Sequence, residues 1–280
     1  MQDLTAEILT VIQERPAVSH KGNYGRVVTI GGNKQYGGAI LMSTSAAVHA
    51  GAGLVTCVTA PENLTALHAM VPEAMFVSSH DYSTLVDVIQ RATVIVIGPG
   101  LGTEDFAADI LQIVLNRVTD DQYLIIDGSA ITILADVKEE LRRVIPRGHL
   151  IFTPHEMEWQ RLSGIKIADQ TEENNRKKQE EFQATVVLKK HHTEIYAPDT
   201  PTMRLTIGGP HMATGGMGDT LTGIIAAFMA QFAQVDSQAA LNAAVYTHSA
   251  IADELSQDSY VVLPTDIIGQ LQRFMKEHCK

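Results

Sequence analysis

Residues 93–98, TVIVIG, form an apolar run with no alternation. A strand with one wet face alternates apolar and polar side chains. A run apolar at every position is buried on both faces, as in a parallel sheet covered by helices above and below. The run ends in GPGLG (98–102), and the same grammar recurs. RVVTI (26–30) runs into the loop GGNKQYGG (31–38), YLII (123–126) into Asp127-Gly128, and LIF (150–152) into TPHE (153–156). Between and after these lie a small-residue helix at 39–53, a strand at 54–60, a short helix at 63–70 and an amphipathic helix at 107–118. TVVLKKHHTEIYAPD (185–199) reads as two strands around a Lys-Lys-His-His turn. Strands alternating with helices predict an α/β three-layer sandwich, a central, mostly parallel sheet with helices on both faces. No Pro/Ser-rich linker and no fixed repeat divides the chain, so one domain is expected over 1–280. The four glycine-rich or polar turns fall at strand carboxyl ends, where open α/β sheets bind ligands, so one cleft is expected from distant pieces.

The remaining local expectations are simpler. Leu4, Ile8, Leu9 and Ile12 recur at helical spacing until Pro16. The charged stretch 171–182 reads as a solvated helix face, 237–255 as a helix, and Thr265 as the N-cap of a closing helix. With 45% hydrophobic and 19% charged residues, the chain has the balance of a globular protein. A net charge of −11 argues against nucleic acid or an anionic membrane as the main partner. Cys57 and Cys279 make no disulfide framework, the first reading as core and the second as exposed. The N-terminus lacks a signal-peptide pattern, and the most apolar segment, 224–232, is too short to span a bilayer. A cytoplasmic protein without a membrane partner is expected.

The chemistry concentrates in residues 214–222, TGGMGDTLT, which feed a long small-and-apolar run. A glycine turn opening a helix offers unpaired N–H groups at the positive end of the helix dipole and binds anions, phosphate above all. Asp219 would repel a phosphate unless its carboxylate faces a hydroxyl that attacks that phosphate. A backbone cradle beside a base is a phosphoryl-transfer arrangement, although an Asp in a first helical turn also stabilises the dipole with no chemistry. GPGLG lacks the G-x-G-x-x-G spacing of a dinucleotide fingerprint, and no Walker A loop occurs. Asp127 and Glu156 are candidates to hold a hydrated metal, and His155 to donate to a ligand oxygen. His191-His192 is no zinc site, because adjacent residues of a strand point to opposite faces and no third ligand is suggested.

Taken together, these motifs, in this order over about residues 20–270, resemble the ADP/ATP-dependent NAD(P)H-hydrate dehydratase family, which has the ribokinase-like fold. The resemblance implies repair of the 6-hydrate of NADH or NADPH at the expense of ADP or ATP, with Mg2+. By position it implies that Ala39, Gly102, His155 and Asp219 meet the hydrate, with Asp219 as the base. Lys189, Lys190, His191, His192, Thr193 and Gly218 would meet the nucleotide, and Gly215, Gly216 and Gly218 would cradle the moving phosphoryl group. The family usually carries a Lys-Gly pair where this chain has Lys189-Lys190-His191-His192-Thr193, which leaves the loop's contacts and the ADP/ATP preference open. The resemblance also implies a homotetramer. It implies a functional link to an NAD(P)H-hydrate epimerase too, expected as a separate protein because the segment before residue 20 is too short to hold one. The alternatives are a vitamin-precursor kinase of the same superfamily, whose phosphorylated product would persist, and a non-catalytic nucleotide sensor, against which Asp219 argues.

Overall fold

The computed structural model describes residues 1–136 and 149–280. Its strands are β1 (Gln2–Asp3), β2 (Arg26–Ile30), β3 (Leu54–Thr59), β4 (Met75–Ser78), β5 (Val94–Ile97), β6 (Tyr123–Ile126), β7 (Leu150–Phe152), β8 (Thr185–Leu188), β9 (Glu194–Tyr196) and β10 (Met203–Arg204). They form one sheet in the order β1-β10-β9-β8-β7-β6-β5-β2-β3-β4. From β8 to β4 every pairing is parallel, whereas β9 pairs antiparallel with both β8 and β10.

The helices are α1 (Gly37–His49), α2 (Leu64–Met70), α3 (Tyr82–Arg91), α4 (Asp105–Arg117), α5 (Gly128–Asp136), α6 (Glu156–Ser163), α7 (Glu172–Phe182), α8 (Met217–Leu255) and α9 (Pro264–His278). Strand residues alternate between two cores. Val27, Val94, Val96, Ile125 and Val187 pack with α1, α8 and α9. Val28, Ile95, Ile97, Ile126 and Phe152 pack on the other face with α3, α4, α5 and Trp159 of α6. This is the two-faced burial that the unalternating run required. The small residues of α1 serve its crossing with α8. Gly223 lies against the Ser43 carbonyl, where any Cβ would overlap it, and Ser43 Oγ sits 3.0 Å from Thr222 Oγ1. The apolar run 224–232 is buried throughout except Gln231.

Several local expectations change. The spacing at 4–12 becomes a short 3-10 helix, Ala6–Val11, with Leu9 buried. Thr265 is not a cap: α9 begins at Pro264, whose fixed φ suits a first helical position, and Asp266 Oδ2 accepts the Leu263 N–H at 3.2 Å. The charged helix α7 is only partly solvated. Asn175 Oδ1 accepts from Trp159 Nε1 at 2.8 Å, its amide donates to Tyr196 at 3.1 Å, and Gln179 is buried. The run 217–255 is one continuous helical span except at Asp236, whose φ of −156° and ψ of 104° break it. Asp236 Oδ1 then accepts the Ala239 N–H at 2.9 Å and caps the second half. No helix among the described residues is long and apolar enough to cross a membrane.

Candidate active site

From β2 the chain adds β3 and β4 on one side and then β5 to β8 on the other. The switch point lies between β2 and β5, where a doubly wound sheet opens a crevice at its carboxyl edge. The loops leaving these strands are bonded to each other: Gly32 N–H donates to Pro99 O at 2.9 Å and Asn33 N–H to Gly100 O at 2.7 Å. Ala39, in the first turn of α1, lies against Gly100, where a Cβ would stand 3.0 Å from its own. Gly102 N–H donates to Ser129 Oγ of α5 at 3.2 Å. Ala39 and Gly102 therefore belong to one wall, although 63 positions separate them.

Beside this wall sits a charged cluster. β8 continues β7 in register, so His155 and Lys189 are bridged side by side, with Lys189 N–H donating to Pro154 O at 2.8 Å. The Lys189 ammonium meets Asp127 Oδ1, at the end of β6, at 2.6 Å, and Thr153 Oγ1 donates to that same oxygen at 2.7 Å. Glu158, 7% exposed, and Asp219 complete the group. Burial alone would lower the Lys189 pKa, but the Asp127 and Glu158 carboxylates outweigh it and raise it. Glu158 is held above the usual carboxylate range by burial and Asp127, against the pull of Lys189. Burial pushes Asp219 up to about 6, with the Asp127 and Glu158 charges adding to it and Lys189 opposing. Among the described residues, three carboxylates around one ammonium leave a surplus of negative charge.

His155 is the N-cap of α6. Its Nδ1 accepts from Met157 N–H at 3.1 Å and Glu158 N–H at 3.3 Å, while Glu158 Oε2 accepts the His155 N–H at 2.8 Å. An accepting Nδ1 places the proton of the neutral ring on Nε2, which lies 3.4 Å from Glu158 Oε1 on a half-exposed side chain. Glu156, in the first turn of α6, is half-buried with its carboxylate unpaired among the described residues.

The glycine turn opens α8. Gly216 is its N-cap with φ of +96°, a conformation that favours glycine, and a Cβ there would overlap Met42. Among the described residues no side chain caps this end, so its first-turn amides suit a ligand. Gly215 is open to solvent, and Gly218 faces the Lys189 ammonium, 3.0 Å from where its Cβ would be. A cavity of about 440 Å³ extends from Gly218 between the β8–β9 turn, residues 207–213 and the second half of α8. Lys189, Lys190, His191, His192 and Thr193 all line it. Lys190 is tied to Glu194 Oε1 at 2.9 Å. His191 and His192 lie in the turn, not in a strand, and their rings sit on one side with centroids 4.0 Å apart, because His192 adopts a φ of +61°. The cavity roof is pinned by Asp253: both its oxygens accept Gly208 N–H at 3.1 Å, and Oδ1 lies 3.1 Å from His211 Nε2.

Ala39 and Gly102 thus share one wall, His155 and Asp219 both adjoin the Lys189–Asp127 pair, and the 189–193 loop lines the cavity with Gly218. Asp127 is drawn into the Lys189 ion pair, and among the described residues no three His, Cys, Asp or Glu side chains converge to ligate a metal. Sequence reasoning missed Glu158, His248 and Asp253. Glu158 had a signal, since it stands three positions after the cap His155, as the acid of a capping box does. His248 and Asp253 had none beyond membership of an apolar helix.

Residues 27–273 match the model of a family described as NAD(P)H-hydrate dehydratase. The chain is 48% identical over 277 residues to an ADP-dependent (S)-NAD(P)H-hydrate dehydratase of Lactiplantibacillus plantarum, covering 98% of this chain and 97% of that one. A ribokinase-like superfamily protein from Enterococcus faecalis superposes with a TM-score of 0.94 at 46% identity, over 99% of this chain and 96% of that one. An ADP/ATP-dependent NAD(P)H-hydrate dehydratase from Bacillus subtilis, co-crystallised with ATP and Mg2+, superposes with a TM-score of 0.86 at 27% identity, over 99% and 98%.

Proposed function

The chain belongs to the NAD(P)H-hydrate dehydratase family, and from that premise we propose how its site works, with Asp219 as the base. Its reaction is the ADP- or ATP-dependent dehydration of the hydrate of NADH or NADPH. Hydroxide is a poor leaving group, so the enzyme spends a phosphoryl group on it. Asp219 takes the proton of the C6 hydroxyl as its oxygen attacks the terminal phosphorus of the nucleotide, and AMP departs when ADP is the donor. The nitrogen lone pair of the reduced ring then expels phosphate from C6, and loss of the C5 proton restores the dihydronicotinamide. The difficult step becomes a phosphoryl transfer, in which positioning and charge stabilisation supply most of the rate.

The observation that carries this reading is the placement of Asp219 one residue after Gly218, in the first turn of a helix whose start no described side chain caps and beside the Lys189–Asp127 pair. In this reading Ala39, Gly102 and His155 hold the hydrate, with His155 Nε2–H donating to it. Gly215, Gly216 and Gly218 receive the transferred phosphoryl group, and Lys189, Lys190, His191, His192 and Thr193 hold the nucleotide. The negative surplus of Asp127, Glu158 and Asp219 over Lys189 suits a hydrated cation carried by the phosphates better than one ligated by protein alone. Asp127 and Glu156 would hold the water shell of Mg2+, which when bound neutralises phosphate charge. A homotetramer in the cytoplasm completes the reading. The relative's name specifies the (S) hydrate. An enzyme that takes one epimer leaves the other behind, which supports an NAD(P)H-hydrate epimerase as functional partner.

The test mixes purified protein, Mg2+ and the (S)-hydrate of NADH or NADPH with ADP or ATP and follows near-ultraviolet absorbance. Absorbance should return only with nucleotide, with phosphate released in equal amount. A stable phosphorylated product without recovered absorbance would favour the kinase reading.

A further inference from the structure

The cavity beside Gly218 holds a buried group that the described residues leave unsatisfied. His248, in the second half of α8, is 5% exposed and lines the cavity, and its Nε2 has no hydrogen-bond partner. The ring is already engaged with the main chain of Met217. Burial and the nearby Lys189 charge push its pKa down to about 4, so at neutral pH the ring is uncharged. A neutral imidazole that donates through one nitrogen presents a lone pair on the other. The cavity around it mixes apolar walls, Leu205, Ile207, Leu221 and Val245, with the polar side chains of Lys189, Thr193 and Ser249, and among the described residues none of these bonds Nε2. An acceptor left buried and unpaired is costly, so a ligand that brings a donor gains what the empty site loses.

We propose that His248 is a specificity-determining residue of the nucleotide site, its Nε2 accepting a hydrogen bond from the nucleoside half of the bound nucleotide. This rests on the reading of the cavity as the nucleotide site. The phosphates cannot be the partner, because ionised phosphate carries only acceptors and its cradle lies at the glycine turn. The donor is an N–H or O–H group of the nucleoside, either the amino group of adenine or a ribose hydroxyl. At that place the Nε2 acceptor favours an amino-bearing base over a keto oxygen, because with the keto group two lone pairs would face each other.

The test is calorimetric, so it reads binding and not turnover. Dissociation constants are measured for ADP, inosine diphosphate, 2′-deoxy-ADP and 3′-deoxy-ADP against wild type, His248→Phe and His248→Gln. The expected result is that one analogue binds wild type about three- to tenfold more weakly than ADP, the scale of one net hydrogen bond. His248→Phe should weaken ADP by a similar factor and close that gap, while His248→Gln, which restores an acceptor, recovers part of it. A gap for inosine diphosphate identifies the base amino group, and a gap for a deoxy nucleotide the ribose hydroxyl. Should melting show the phenyl variant unfolded, the ¹⁵N resonance of His248 Nε2 in wild type supplies the readout, expected to move on adding ADP. Equal ADP affinity in wild type and the folded phenyl variant, or an unmoved resonance, overturns the inference and leaves the cavity reading intact. Wild type that binds no ADP overturns the cavity reading itself.

Discussion

Replacing Asp219 with asparagine keeps the shape of the side chain and removes its charge, which divides the carboxylate's catalytic role from its electrostatic burden. A positioned base contributes roughly 10²–10⁴ in rate, so turnover should fall at least about a hundredfold while nucleotide binding persists. The stability effect runs the other way. Asp219 is pushed from 3.8 to about 6 by burial and its acidic neighbours, a rise of roughly two units, or about 3 kcal/mol at about 1.4 kcal/mol per unit. Partial exposure screens this, leaving about 1–2 kcal/mol. The sign follows from proton binding: with its pKa raised on folding, the folded protein holds the proton more tightly than the unfolded chain. The stability that protonation gives is full below about pH 4 and is lost as pH rises through about 6. Asparagine does not titrate, so the variant should melt close to wild type near pH 4 and gain on it up to about pH 6.5, ending roughly 2–5 °C higher. Steady-state rates and melting curves from pH 4 to 8 test both halves. Unchanged turnover removes Asp219 as the base. Lost turnover without the pH-dependent gain in melting refutes the electrostatic account of its pKa.

Lys189→Met should strip the ammonium from three carboxylates and destabilise the fold by about 2–4 kcal/mol in denaturant titrations at pH 7, with part of the loss recovered by adding Asp127→Asn. Glu158→Gln removes one of the charges that raise the Asp219 pKa, so the acid limb of the kcat/KM profile, near pH 6 in wild type, should move to lower pH. Asp253→Ala frees Gly208 and His211 from α8, and the KM for nucleotide should rise several-fold with kcat little changed, as when uniform binding is lost.

The sheet was legible because its central strands are buried on both faces, and such runs announce themselves: residues 26–30, 123–126 and 150–152 lie where the pattern put them. The edges were silent. β4 has only one buried residue, Val77, and β1 and β10 are two residues each, too short for any period to register. Polar burial was the other blind spot. Asn175 and Gln179 sit in a stretch whose charge density signals solvent, and only their partners across space, Trp159, Tyr196 and the Ala184 carbonyl, reveal the buried side of that helix. The crevice was readable from turn chemistry at strand ends, since glycine and Asp-Gly mark loops wherever they occur. The electrostatics were not. That Asp127 is an ion-pair partner of Lys189, 62 positions away, depends on β6, β7 and β8 lying side by side.

The break at Asp236 acts as a ruler. About nineteen residues, or roughly 28 Å of helix, separate Met217 from the break, and the chain returns about 18 Å for His248 to meet Met217 again and about 26 Å for Asp253 to reach Gly208. Cradle and cavity wall are thus indexed to each other by arc length along a single covalent span. One residue inserted on either side of residue 236 would turn the far half by about 100° and slide it by about 1.5 Å. Point substitutions in this hairpin should therefore be forgiven far more readily than single-residue insertions or deletions, and the span should drift in composition while holding its length.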